Sequence, residues 1–187
     1  MPAAPAHAPL KHRYFFALLP DEVTARRIHA FAEGQFGEKG LMRTDRLHVT
    51  LAITEDFDAP HPALADALCR AGEKVSAEPF EIRLDQLSGG RRTVALRPAH
   101  SIASLRSLQA QVSRAMTGEG VPMRPEWQFN PHVTLVYRDA EPVTRPIEAF
   151  GWTVREFVLI QSLVGLTRHQ ILGHWPLANV QPSLFPA

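Results

Sequence analysis

The sequence predicts an α+β fold that is bilobal and duplicated about a pseudo-twofold axis, with two antiparallel sheets lining a central cleft and helices on the outside. Three observations predict it. The tetrapeptide HVTL stands at 48–51 and again at 132–135. Around each copy the order is the same: an apolar strand (13–19 or 93–97), a helix (21–33 or 101–116), a loop, then the HVTL strand (47–53 or 132–137). Between the copies, FEIRLDQL alternates apolar and charged residues, turns through SGG and returns as RRTVALRP, the pattern of a hairpin.

Each element has its own warrant. RYFFALL (13–19) is a compact aromatic-rich run and reads as a buried strand. Pro20 and Asp21 open a helix that ends near Gly34 or Gly37. RLHVTLAIT alternates as a strand, and 60–78 reads as a helix with Leu64, Ala67, Leu68 and Ala71 on one face. After the hairpin, Ile102, Leu105, Leu108, Val112 and Met116 recur at three- and four-residue steps, which specifies a helix. FNPHVTLVYR follows as a strand, and WTVREFVLIQSLVG and RHQILGHWPL close the chain as two more joined by a short turn.

The chain has 187 residues, 45% hydrophobic and 21% charged, enough to bury one good core. Residues 1–12 (MPAAPAHAPLKH) are small and Pro-rich and read as a disordered lead-in, leaving 13–187 as a single bilobal domain. Twenty basic against nineteen acidic side chains give a net charge of +1, which argues against coating long duplexes by bulk electrostatics. Cys69 is the single cysteine and has no partner for an internal disulfide or a Cys-rich zinc site. The run YFFALLP is too short for a signal-peptide core, and nothing approaches the roughly 18 apolar residues of a membrane span. The expectation is a cytoplasmic monomer with no membrane partner.

Side chains alternate along a strand, so His48 and Thr50 share one face while Val49 and Leu51 share the other. His132 and Thr134 stand in the same relation to Val133 and Leu135. The apolar pair anchors each strand in the core, and the imidazole and hydroxyl stand about 6.5–7 Å apart on the cleft side. One such pair is ordinarily a solvated strand face. Two, brought together by a pseudo-twofold axis, supply two imidazoles to donate and accept protons and two hydroxyls to hold an anion's oxygens. That set fits in-line attack on a phosphodiester with no metal and no cofactor, since two histidines lacking neighbours at ligand spacing make a poor zinc site.

Other residues are candidates by proximity. Arg43 and Arg46 precede the first motif, Trp127 and Phe129 the second, and His169 lies in the final hairpin. Trp127 and Phe129 suit base stacking or packing beneath the strand, with packing favoured for Phe129.

At this point the residues resemble the 2H phosphoesterases, in particular the RNA 2′,3′-cyclic phosphodiesterases also called 2′-5′ RNA ligases. RYFFALLPDE, RLHVTL, FNPHVTL and FVLIQSLVG…ILGHWPL carry the resemblance, which spans Arg13 to Leu177. It implies a V-shaped cleft between two antiparallel sheets and hydrolysis of a 2′,3′-cyclic phosphate to a 2′-phosphate. It also implies His48 as proton donor, His132 as proton acceptor, and Thr50 and Thr134 as phosphate ligands. Substrates consistent with it are RNA ends, a cyclic nucleotide, an ADP-ribose cyclic phosphate or a 2′-5′ oligonucleotide. Ligation would use the same groups, and a rival of another class is an RNA-binding module without catalysis. The family commonly has an Arg five residues after the second His, where this chain has Tyr137, with Arg138 one step further. On an ideal strand that step sends the guanidinium to the opposite face.

Overall fold

A computed structural model describes residues 11–166 and 168–178 of the chain. Its elements run β1 (Lys11–Leu18), α1 (Glu22–Phe36), a 3-10 turn (Thr44–Arg46), β2 (Val49–Phe57), α2 (Pro62–Glu73), β3 (Phe80–Gly89), β4 (Val94–Arg97), α3 (Ala103–Gly118), β5 (Val133–Val136), β6 (Val143–Val154), β7 (Glu156–Val164) and β8 (Arg168–Pro176). They form two four-stranded antiparallel sheets, ordered β2-β1-β7-β8 and β5-β4-β3-β6.

The helices follow from local sequence. Asp21 caps α1 by accepting from the Thr24 N–H at 2.8 Å. The helix ends where Gly37, at φ 74°, donates its N–H to the Glu33 carbonyl. In α3 the three- and four-residue spacing is the buried stripe, Leu105, Leu108, Val112 and Met116. Helix α2 buries Ala67, Leu68, Ala71 and Gly72. A Cβ on Gly72 would lie 2.3 Å from the Trp175 ring of β8, so only glycine allows that close approach.

The duplication extends to the register. In the unit β1–α1–β2, Ala17 pairs with Thr50 and Phe16 with Ala52, which leaves Leu51 as a one-residue bulge. In β4–α3–β5, Ala95 pairs with Thr134 and Val94 with Val136, leaving Leu135 as the matching bulge. Both HVTL strands are edge strands, and each edge is covered by a loop from the other half. The Met42 N–H donates to the Leu135 carbonyl at 2.7 Å, and the Arg124 N–H donates to the Ile53 carbonyl at 2.8 Å.

The main core lies between the sheets and the helices and takes in Val49, Leu51, Val133 and Leu135, the apolar partners of the two motifs. A second, small cluster of Phe15, Ala17, Val158 and Ile160, with Leu19 and Ile53 against it, occupies the other face of the first sheet. Among the described residues no helix is long and apolar enough to cross a membrane.

The structure corrects several boundaries. Lys11 and His12 belong to β1, paired with Val164 and Leu163, and the rest of the expected lead-in, residues 1–10, lies outside the described residues. Helix α2 stops at Glu73, before Pro79 forces extended backbone. The run 152–165 is not one strand: it divides at Arg155, with its first residues ending β6 in one sheet and the rest forming β7 in the other. Strand β6 is not legible in the sequence because it carries Pro146 and a mostly exposed first half, both tolerated on the outer edge of its sheet.

Candidate active site

The two His-x-Thr motifs enter their strands in the same way. His48 and His132 stand one residue ahead of β2 and β5, and each Nδ1 lies 2.7 Å from the main-chain carbonyl two residues earlier, Arg46 O and Asn130 O. A carbonyl only accepts, so Nδ1 carries the proton in both rings and Nε2 is the atom left to titrate. Thr50 and Thr134 follow on β2 and β5, half-buried, each opposite an alanine whose methyl leaves the hydroxyl clear.

The imidazoles share an electrostatic environment. Burial is the main cause that pushes His48 down to about 4, opposed by its bond to the Arg46 carbonyl. The nearby charges of His132 and Arg46 add to the depression, which puts the second motif's imidazole within electrostatic range of the first. His132 is also lowered, first by burial, with the Arg97 guanidinium adding to the effect. Both rings are therefore predominantly neutral at neutral pH.

Around His48 the surroundings are aromatic. Its ring lies 5.0 Å from Phe15 and 5.6 Å from His169, and Phe15 also meets His169 edge-on at 5.5 Å. Arg46 donates Nη2 toward His169 Nε2 at 3.4 Å, while its buried Nε has no hydrogen-bond partner among the described residues. Burial, with the charges of His48 and Arg46, pushes His169 down to about 4.

Around His132 the surroundings are polar. Arg97 donates to the Asn130 side-chain oxygen at 2.5 Å, and the Asn130 main chain in turn holds the His132 ring. Neither Arg97 nor Asn130 is among the residues the sequence singles out. The available signal is the charge closing VALR, where the equivalent FALL of the first half ends apolar.

The remaining candidates divide. Arg43 is turned to Asp45, with both contacts at 3.0 Å. Phe129 packs against the main core, and Trp127 lies 6.3 Å from it, half-buried. The bulge at Leu135 decides the order at 137–138. Because Val136 pairs with Val94, it takes the core side, which returns Tyr137 to the face of Thr134. Arg138 goes to the other side, its guanidinium 4.6 Å from the Phe36 ring centre. Tyr137 is 66% exposed. Among the described residues no three His, Cys, Asp or Glu side chains gather at metal-ligand distance.

Comparison with known proteins shows the family and the fold. The family model described as the 2′-5′ RNA ligase superfamily matches residues 19–165. The RNA 2′,3′-cyclic phosphodiesterase of Escherichia coli (strain K12) is 31% identical over 179 residues, covering 89% of this chain and 97% of that protein. The crystal structure of E. coli LigT complexed with 3′-AMP superposes with a TM-score of 0.71 at 27% identity, covering 89% of this chain and 98% of the other. A Thermus thermophilus protein, TT0787, shares the fold, with a TM-score of 0.68 at 19% identity over 88% of this chain and 97% of its own. With both motifs inside the matched span and both sheets in the same architecture, the chain belongs to the 2′-5′ RNA ligase superfamily of 2H phosphoesterases.

Proposed function

We propose that this protein hydrolyses RNA 2′,3′-cyclic phosphate ends to 2′-phosphates by general acid–base catalysis. The observation that carries the reading is the matched pair of His-x-Thr edge strands, each imidazole held through Nδ1 so that Nε2 is the proton-transfer atom. The E. coli relative, named as an RNA 2′,3′-cyclic phosphodiesterase, and a LigT structure holding 3′-AMP add support.

In this reading Thr50 and Thr134 donate hydrogen bonds to the non-bridging phosphate oxygens. His132 Nε2 takes a proton from water as the water oxygen bonds to phosphorus. The P–O3′ bond breaks, and His48 Nε2 delivers its proton to the departing 3′ oxygen. The substrate's negative charge offsets the desolvation that keeps His48 neutral, so His48 becomes protonated as substrate binds. With a ribose 5′-hydroxyl in place of water the same groups form a 2′-5′ bond. The reading carries with it a cytoplasmic monomer acting on RNA ends or small nucleotides, with no cofactor.

The test is turnover of an RNA ending in a 2′,3′-cyclic phosphate with EDTA present, the product resolved by its 2′- or 3′-phosphate. A 2′-phosphate is expected. Binding without turnover would point to a non-catalytic RNA-binding module, and a 3′-phosphate product would reverse the assignment of the leaving oxygen.

A further inference from the structure

We propose that the end of the cleft beyond Phe15 is a second subsite, in which Arg13 and Arg124 bind an internal phosphodiester of an RNA strand and Tyr137 stacks on one of its bases. The preferred substrate is then an oligonucleotide rather than a mononucleotide. This rests on the reading of the cleft as a cyclic phosphodiesterase site.

Placement comes first. Arg13, Phe15 and Ala17 share one face of β1, and the Phe15 ring meets His48, so Arg13 lies on the cleft side about 6.5–7 Å further along. Asp56 stands opposite Arg13 on β2. Tyr137 reaches the cleft face through the Leu135 bulge and lies within electrostatic range of the Arg13 guanidinium. Arg124 enters from the loop that covers the β2 edge. The two halves thus both contribute, as they do to the histidine pair.

Charge comes second. Asp56 accepts Nε and Nη2 of Arg13 at 2.6 and 2.7 Å and also accepts Nη2 of Arg124. Two guanidiniums on one carboxylate leave a local charge of +1. They also leave Nη1 of Arg13 and Nε and Nη1 of Arg124 without a bond among the described residues. The carboxylate therefore orients a pair of forks whose remaining donors suit a phosphate. Beside them stands a large, exposed aromatic ring, and such rings with adjacent cations are how single strands are held without base-specific hydrogen bonds. An exposed tyrosine alone would carry nothing, and neither would the ion pairs; what defines the subsite is their convergence at the mouth of one cleft.

The experiment compares kcat/KM for a mononucleoside 2′,3′-cyclic phosphate and for a short RNA with the same terminal group, in the parent protein and in Tyr137→Ala and Arg124→Gln. The oligonucleotide is expected to be the better substrate. Each variant is expected to lose about 5- to 100-fold on it through KM, with the mononucleotide unchanged within about twofold. Arg124→Gln should also flatten the salt dependence of the oligonucleotide KM by about 0.7 in the logarithmic slope. Equal losses on both substrates, or no loss on the oligonucleotide, overturn the subsite. Tyr137 is a surface residue, so its variant is expected to fold. If the parent protein turns over neither substrate, the catalytic reading fails on its own. Fluorescence anisotropy of a labelled RNA then decides the subsite, and unchanged affinity in both variants overturns it.

Discussion

His48 and His132 carry the same tetrapeptide, the same 2.7 Å bond to a main-chain carbonyl and the same bulge one residue after the threonine, yet their neighbours differ. His48 is held among Phe15, His169 and Arg46, and burial drives it down to about 4. His132 is held through Asn130 and Arg97, and its depression has burial and one guanidinium behind it. The duplicated part of the chain sets where each imidazole points. Positions that differ between the two copies, Phe15 and Arg46 on one side and Arg97 on the other, together with His169 of the β7–β8 hairpin, set what each ring feels.

The strongest way to break this comparison is to remove each ring. His48→Ala and His132→Ala are expected to lose about 10²–10⁴-fold each in kcat on a cyclic phosphate. A phosphodiester with a p-nitrophenolate leaving group needs no proton on departure, so steady-state rates should recover in His48→Ala and stay low in His132→Ala. The opposite recovery would exchange the two roles.

A smaller effect separates the surroundings. Arg97→Ala frees Asn130 and should slow kcat about fivefold, the worth of one net hydrogen bond of about 1 kcal/mol. NMR titration of the imidazole protons should show His132 moving up toward its ordinary range in Arg97→Ala and His48 moving up in Arg46→Ala, each with little change in the other. A common shift of both rings in either variant would mean that the environments are not separable.

The effect that touches catalysis least is on stability. His48 and His169 are neutral in the native cleft down to about 4, whereas in the unfolded chain they protonate below about 6.5. The unfolded state therefore binds more protons in that window, and their contribution is fully present above pH 6.5 and lost as pH falls toward 4. Thermal melts should show Tm falling over that range by about 2–4 °C for each kcal/mol lost. Inorganic phosphate should offset part of the fall, with proton uptake visible by calorimetry in buffers of different ionisation enthalpy.

Much of this was legible in the sequence for a definite reason. A repeated motif, a period-two strand and a stripe at three- and four-residue steps are local patterns, and they located β1, α1, β2, α3 and both His-x-Thr pairs. What escaped depends on registers between distant segments. The bulges at Leu51 and Leu135 have no sequence signature, so the choice of Tyr137 over Arg138 for the cleft face had to await the pairing of β5 with β4. Arg97 and Asn130 are far apart in sequence and meet only through that pairing. Strand β6, with Pro146 on an outer edge, lacks the alternation that marks a strand with one buried face.

The strand order also governs how the chain can be made. Strands β3 to β6 are continuous, Phe80 to Val154, so their sheet can assemble while the rest of the polypeptide is still being synthesised. The other sheet cannot: Lys11 is paired with Val164, and β1 must wait for β7 to leave the ribosome before its second edge is closed. Until then Tyr14, Phe15 and Phe16, all buried in the finished fold, stay open along one flank of the β1–β2 pair.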